Sequence, residues 1–142
     1  MSEQKLRSDA NRCFVCGPAN PIGLCLQFRL DDEVCRAEFV PGPDHCGFDG
    51  VTHGGVLYAA LDDVMANWLF LQGIRAYTAR CEVRYRETVA IGTPLLLEGR
   101  LDSRKRRLAT MSARALDPDN NKVVAEASAS FMIVDDIKED EQ

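Results

Sequence analysis

A chain of 142 residues with 46% hydrophobic and 27% charged side chains has the composition of a folded domain with one core, and it holds no apolar run long enough to span a membrane. The net charge of −5 argues against general affinity for nucleic acid. The N-terminus lacks an apolar signal core, so a cytoplasmic protein is expected, with one domain over residues 1–142, a core over about 11–134, and flexible ends at 1–10 and at the acidic 135–142.

Residues 11–24 read as a loop rich in Cys, Gly, Pro and Asn. Within it Cys13-x-x-Cys16 is open to three readings: a structural turn, half a zinc site, or a redox pair. Zinc calls for about four ligands, and there is no second CxxC or HxxxH; Cys46 and His45 would have to fold back to complete a site. A redox pair normally opens a helix, whereas Gly17-Pro18 follows here. The turn is the default, and no metal is expected. The 6 cysteines are expected to be thiols, with Cys25, Cys35 and Cys81 buried as small apolar groups.

Two strands are expected next, over 25–30 and 34–40, joined by a turn at Asp31-Asp32-Glu33. A Gly- and Pro-rich loop leads to one long helix, roughly 54–72, with Gly73 as its stop. Leu57, Leu61, Val64, Trp68 and Phe70 spread apolar character round nearly the whole helix, which predicts burial on all sides. Four more strands follow over 78–88, 94–101, 108–116 and 122–134; the last alternates cleanly through Val123, Ala125, Ala127, Ala129 and Phe131. The order is ββαββββ, an α+β arrangement in which a six-stranded antiparallel sheet wraps one helix. Its far face or its edges need cover, and dimerisation is one solution.

The helix opens on His53-Gly54-Gly55, and Asp62 lies on it. Two glycines at a helix start let another group approach unsatisfied N–H donors, where the helix dipole favours negative charge. The helical neighbours of Asp62 are Tyr58, Ala59, Met65 and Ala66, none of them a cation, so its carboxylate needs a hydrogen bond or a chemical task. An oxyanion-binding helix end and a poised carboxylate are two parts of a hydrolase for activated acyl groups. The alternative is a packing device followed by a solvated Asp.

The element order, His53-Gly54-Gly55 and the acidic residue nine positions beyond the His resemble the hotdog-fold acyl-CoA thioesterases of the phenylacetic-acid-pathway (PaaI-like) subgroup, part of the 4-hydroxybenzoyl-CoA thioesterase superfamily. The Cys-Phe-Val-Cys-Gly-x-x-Asn-Pro-x-Gly-Leu stretch is similar to one in a branch of these proteins. The resemblance implies a hotdog fold and Asp62 as general base or nucleophile, with Asp63 the second choice. It also implies a Gly54/Gly55 oxyanion site, His53 as a turn-holding site residue, and Thr78 as a hydrogen-bond partner of the carboxylate or the attacking water. Where several family members carry Asn or Gln, six residues before the His, this chain has Gly47; His45 and Asp49 are the nearest polar residues.

The resemblance further implies an acyl-CoA substrate, no separate cofactor, and a homodimer or homotetramer with its site at the protomer boundary. Arg104, Lys105, Arg106 and Arg107 read either as a solvated hairpin or, as in similar proteins, as contacts for the nucleotide phosphates of coenzyme A. Two other activities are weighed. One is a non-catalytic acyl-CoA-binding or sensing module, which Asp62 and Thr78 argue against. The other is a hotdog dehydratase, for which neither His45 nor His53 has the expected sequence context.

Overall fold

The computed structural model describes residues 6–136. The strands are β1 (Arg29–Asp31), β2 (Val34–Phe39), β3 (Ile74–Tyr85), β4 (Leu95–Lys105), β5 (Leu108–Asp117) and β6 (Lys122–Asp136), with the helix α1 (Gly54–Phe70) between β2 and β3. They form one antiparallel sheet in the order β1-β2-β4-β5-β6-β3, and α1 packs across its concave face. This is the α+β arrangement that the element order gave and the hotdog fold that the resemblance implied.

The sheet alternates as a one-sided sheet should. Cys35, Ala37 and Phe39 of β2, Leu95 and Leu97 of β4, Met111 and Ala113 of β5, and Ala125 to Ile133 at every second position of β6 point at the helix and are buried. Leu57, Leu61, Val64, Met65 and Leu69 of α1 fill the space between. Gly99 on β4 is where helix and sheet come closest: a Cβ there would lie 2.7 Å from the carbonyl oxygen of Val64.

The convex face is charged rather than apolar. Across β2, β4, β5, β6 and β3, Arg36, Glu98, Arg114, Glu126 and Arg84 stand opposite one another in register, alternating in sign. Glu98 accepts from Arg36 Nε at 2.9 Å and from Arg114 Nε at 2.7 Å. Among the described residues two strands pair on one side only, the 3-residue β1 and the 12-residue β3, so the long bare edge is that of β3.

Several sequence-based expectations shift. The first strand is short, because Cys25 adopts a left-handed φ of 54° and Leu24 and Leu26 instead donate to Phe14 and Val15. Cys25 is consequently exposed; Cys35 is buried and Cys81 half-buried. β3 begins at Ile74 rather than residue 78, and β6 follows it to Asp136, so Asp135 and Asp136 lie in the sheet. Arg7 and Asp9, expected in a flexible end, are held as well: the Arg7 amide donates to Asn11 Oδ1 at 2.7 Å, and Asp9 pairs with Arg75 at 2.9 Å. The remaining parts of both expected flexible ends, 1–5 and 137–142, lie outside the described residues. The helix is not buried on all sides of this single chain, since Tyr58 is 38% exposed where β3 ends the sheet.

Candidate active site

The N-terminus of α1 is capped by its own preceding residue. His53 is extended (φ −63°, ψ 132°), and its Nδ1 accepts from the Gly55 amide at 2.8 Å. The ring therefore holds the turn, as expected for His53. It also divides the two glycines. The Gly55 amide is already engaged, while the Gly54 amide stands at the first helical position, where no intrahelical acceptor exists.

Gly54 is fixed from the other side as well. Its carbonyl accepts from the Tyr85 hydroxyl at 2.7 Å, and a Cβ on Gly54 would touch the Tyr85 ring at 3.4 Å. An open cavity of about 500 Å³, lined by residues including Cys46, Phe48, Thr52 and Gly54, lies against this helix end. Gly47 faces His53, with a virtual Cβ 3.4 Å from the imidazole, so the position lacking the expected Asn or Gln does adjoin the turn. His45 does not replace it: its Nδ1 accepts from the Gly42 amide at 2.8 Å. Asp49 is exposed.

Two turns along the helix, Asp62 meets Thr78, whose Oγ1 donates to Asp62 Oδ1 at 2.6 Å. Burial pushes the Asp62 carboxyl above the ordinary Asp range, and the Thr78 hydrogen bond opposes it. A β-bulge makes the contact. Between Thr78 and Arg80 the pairing with β6 slips by one residue, so Ala79 is an extra residue on β3. Thr78 and Tyr85 are seven positions apart, which on a regular strand would put them on opposite faces. With Ala79 inserted, both face the helix.

Asp63 turns to a different neighbourhood. Cys13 Sγ lies 3.7 and 3.8 Å from its carboxylate oxygens, and Asn67 Nδ2 donates to Oδ2 at 3.1 Å. Cys16 Sγ lies 3.3 Å from Cys13 Sγ. The Cys16 thiol, with the backbone amides of Cys16 and Val15, holds Cys13 down to about 5, and Cys16 is pushed up in turn. Burial, with the Cys13 charge beside it, pushes Asp63 up to about 7.

The basic hairpin lies at the β4–β5 turn. Arg104 pairs with the buried Asp136 at 2.9 Å, and Arg107 donates to the Ile133 carbonyl at 3.4 Å. Lys105 and Arg106 are exposed at the tip, with Arg106 at a left-handed φ of 58°.

The structure thus joins Asp62 to Thr78 and His53 to Gly55, and it separates Asp63 from Thr78. Tyr85 was not foreseen as a neighbour of Gly54; Cys13-x-x-Cys16 was weighed as half a zinc site and Asp63 as the second choice of carboxylate, but the three were not foreseen together. Thr78 and Tyr85 stand seven positions apart in the sequence, but the bulge that turns both to the helix is not legible there. For Asp63, the only available signal was a second carboxylate one position round the helix from Asp62.

The sequence profile of the thioesterase superfamily matches residues 49–124, more than half of the chain. The chain is 27% identical over 105 residues to the Mus musculus acyl-coenzyme A thioesterase THEM5; the match covers 74% of this chain and 42% of that protein. It therefore spans about two fifths of that curated relative's length. Among solved structures, the thioesterase superfamily protein RHA08564 superposes with a TM-score of 0.79 at 26% identity, covering 86% of this chain and 60% of that one. A hypothetical thioesterase of Streptococcus pneumoniae with coenzyme A has a TM-score of 0.73 at 14% identity, covering 78% and 90%. The E. coli PaaI protein of the phenylacetic acid degradation operon has 0.72 at 16%, covering 80% and 82%. The last two share the fold. A hotdog sheet around one central helix, together with the profile match, makes this chain a member of the thioesterase superfamily.

Proposed function

We propose that the chain hydrolyses an acyl-CoA thioester to a carboxylic acid and free coenzyme A, working as a homodimer or an assembly of homodimers. The observation that carries this reading is the Asp62–Thr78 pair, a half-buried carboxylate whose only hydrogen-bond donor among the described residues is a threonine hydroxyl. One Asp62 oxygen is left to take a proton from water or to attack the carbonyl. Burial raises the basicity of that carboxylate towards neutral pH. The Gly54 amide is the oxyanion donor, because Gly55 is committed to His53. This narrows the pair of glycines expected from the sequence to one.

Gly54 and Asp62 on one helix are eight residues apart, about 12 Å at 1.5 Å per residue, too far for one thioester to touch both. The bare β3 edge offers a place for a second chain. Two-fold pairing of β3 strands sets antiparallel helices beside each other and brings one protomer's Gly54 towards the other's Asp62. The support for acyl-CoA as substrate is the superfamily membership, the likeness to the mouse acyl-coenzyme A thioesterase and the coenzyme A in a structure of the same fold. Lys105 and Arg106 at the hairpin tip are the residues of the basic cluster best disposed to meet nucleotide phosphates. No separate cofactor is needed for this chemistry.

The test is release of free thiol from a panel of aliphatic and aromatic acyl-CoAs. Turnover of at least one, abolished in Asp62→Asn, supports the reading. Tight acyl-CoA binding without thiol release would make the chain a sensing module.

A further inference from the structure

Outside the proposed hydrolytic pair, the group of metal-seeking side chains found among the described residues is Cys13, Cys16 and Asp63, whose donor atoms all lie within 4.8 Å of one another. We propose that these three residues bind one divalent cation of the zinc class, with a fourth coordination position open to the adjoining cavity. The site joins the N-terminal loop to α1, fifty positions apart in the chain.

Geometry is the first support. Tetrahedral zinc, with about 2.3 Å to sulfur and about 2.1 Å to oxygen, sets its donors about 3.6–3.8 Å apart. Cys13 Sγ is already 3.7 and 3.8 Å from the Asp63 oxygens, and the two sulfurs, at 3.3 Å, need only a small opening. The loop is wound to present both sulfurs together. The Cys16 amide lies 3.4 Å from Cys13 Sγ, and the Gly17 amide donates to the Cys13 carbonyl at 2.8 Å. A Cβ at Gly17 would come within 2.3 Å of the Cys13 nitrogen and 2.6 Å of the Asn11 oxygen, so the turn closes only with glycine there.

Charge is the second. As ligands, two thiolates and one carboxylate bring three negative charges into a poorly solvated pocket, a costly arrangement unless it is neutralised. Arg7 supplies one positive charge, with Nη1 and Nη2 at 3.4 and 3.5 Å from Cys16 Sγ, and a divalent cation supplies the other two. Arg7 is itself held over the Phe70 ring at 5.2 Å. Asn67 Nδ2, on Oδ2, orients the Asp63 carboxylate, as outer hydrogen bonds orient metal ligands generally. Thiolate donors select zinc over magnesium or calcium.

The fourth position faces a cavity of about 310 Å³ lined by Cys13, Cys16, Asp63, Asn67, Phe70 and Tyr77 among others. Three protein ligands and one exchangeable position match zinc sites that hold water or a ligand. The proposal is independent of the hydrolase reading, because Asp62 faces away towards Thr78.

The experiment uses the full chain, reduced, loaded with Zn²⁺ and dialysed, with metal counted by mass spectrometry and Co²⁺ substituted for an absorption spectrum. About one equivalent of zinc per chain is expected, with a thiolate-to-cobalt charge-transfer band of two-sulfur intensity. Cys13→Ser and Cys16→Ser should lose the metal, Asp63→Asn should weaken it by about tenfold or more, and Cys46→Ser should retain it. If the loop variants fail to fold, native mass spectra of the unaltered protein before and after chelation report the same equivalent. Substoichiometric zinc in the reduced chain, or retention of zinc by the Cys13/Cys16 double variant, would overturn the proposal.

Discussion

Asp62 and Asp63 are adjacent, yet the helix turns them to neighbourhoods with opposite demands. Asp62 meets a neutral hydroxyl donor, whereas Asp63 meets two sulfurs. Asp62→Asn should therefore leave the fold intact and lower thioester turnover by roughly two to four decades, the range for a lost general base. Thr78→Ala should cost less, because it orients a carboxylate that remains. Steady-state kcat on the best acyl-CoA checks both, and loss of activity in Asp63→Asn with none in Asp62→Asn would reverse the assignment. At this scale Asp62, Thr78 and His53 were readable from their spacing and their resemblance to known enzymes. The engagement of the Gly55 amide by the His53 ring was not, because it rests on a side chain folding back two residues, which no spacing encodes.

The elements themselves were legible through periodicity, but their ends and irregularities were not. Ala79 is an ordinary strand residue by composition, and only the pairing of β3 with β6 makes it a bulge. Gly99 likewise looks incidental in sequence, yet its missing Cβ is what admits α1. Gly99→Ala would place carbon 2.7 Å from the Val64 oxygen and 2.9 Å from its carbonyl carbon, which are backbone atoms that cannot rotate away. The expected cost is about 1–3 kcal/mol, read from the shift of a urea unfolding curve. On the opposite face, burial alone would raise Glu98, but its hydrogen bonds to Arg114 and Arg36 outweigh that and hold it below the ordinary Glu range. A folded pKa below the unfolded value of about 4.3 stabilises the protein above that pH, and the benefit is lost as pH falls through the lowered value. Glu98→Gln should cost about 1–3 kcal/mol at neutral pH and flatten the acid limb of the stability profile. At the β4–β5 hairpin, Lys105→Ala with Arg106→Ala should raise KM for acyl-CoA more than it lowers kcat. A pantetheine thioester lacking the nucleotide should be unaffected, and equal effects on both substrates would remove the hairpin from the binding site.

At the scale of the whole molecule, one long edge of the sheet stands open among the described residues. β3 runs for 12 residues with its outer edge unpaired, and Tyr77 and Tyr85 on it are 57% and 48% exposed, with Tyr58 of α1 nearby at 38%. A long, partly aromatic open edge is a surface that folded proteins cover. The sequence left the far face and the edges open as places for a second chain, and the charged row on the convex face favours the edge. If β3 pairs with its two-fold mate, each catalytic centre takes Gly54 from one protomer and Asp62 from the other. Gly54→Val pushes a side chain into the Tyr85 ring, already 3.4 Å from a bare Cβ, and should block the oxyanion amide. Asp62→Asn removes the base. Each homodimer should be inactive, but a heterodimer of the two would hold one intact centre and one doubly damaged centre. Statistical exchange makes half of the dimers mixed, so about a quarter of wild-type activity per total site should return after subunits are exchanged. Circular dichroism of each variant alone verifies folding, and differently tagged protomers verify exchange. Mixtures that exchange and stay inactive would mean that every chain carries a complete centre of its own.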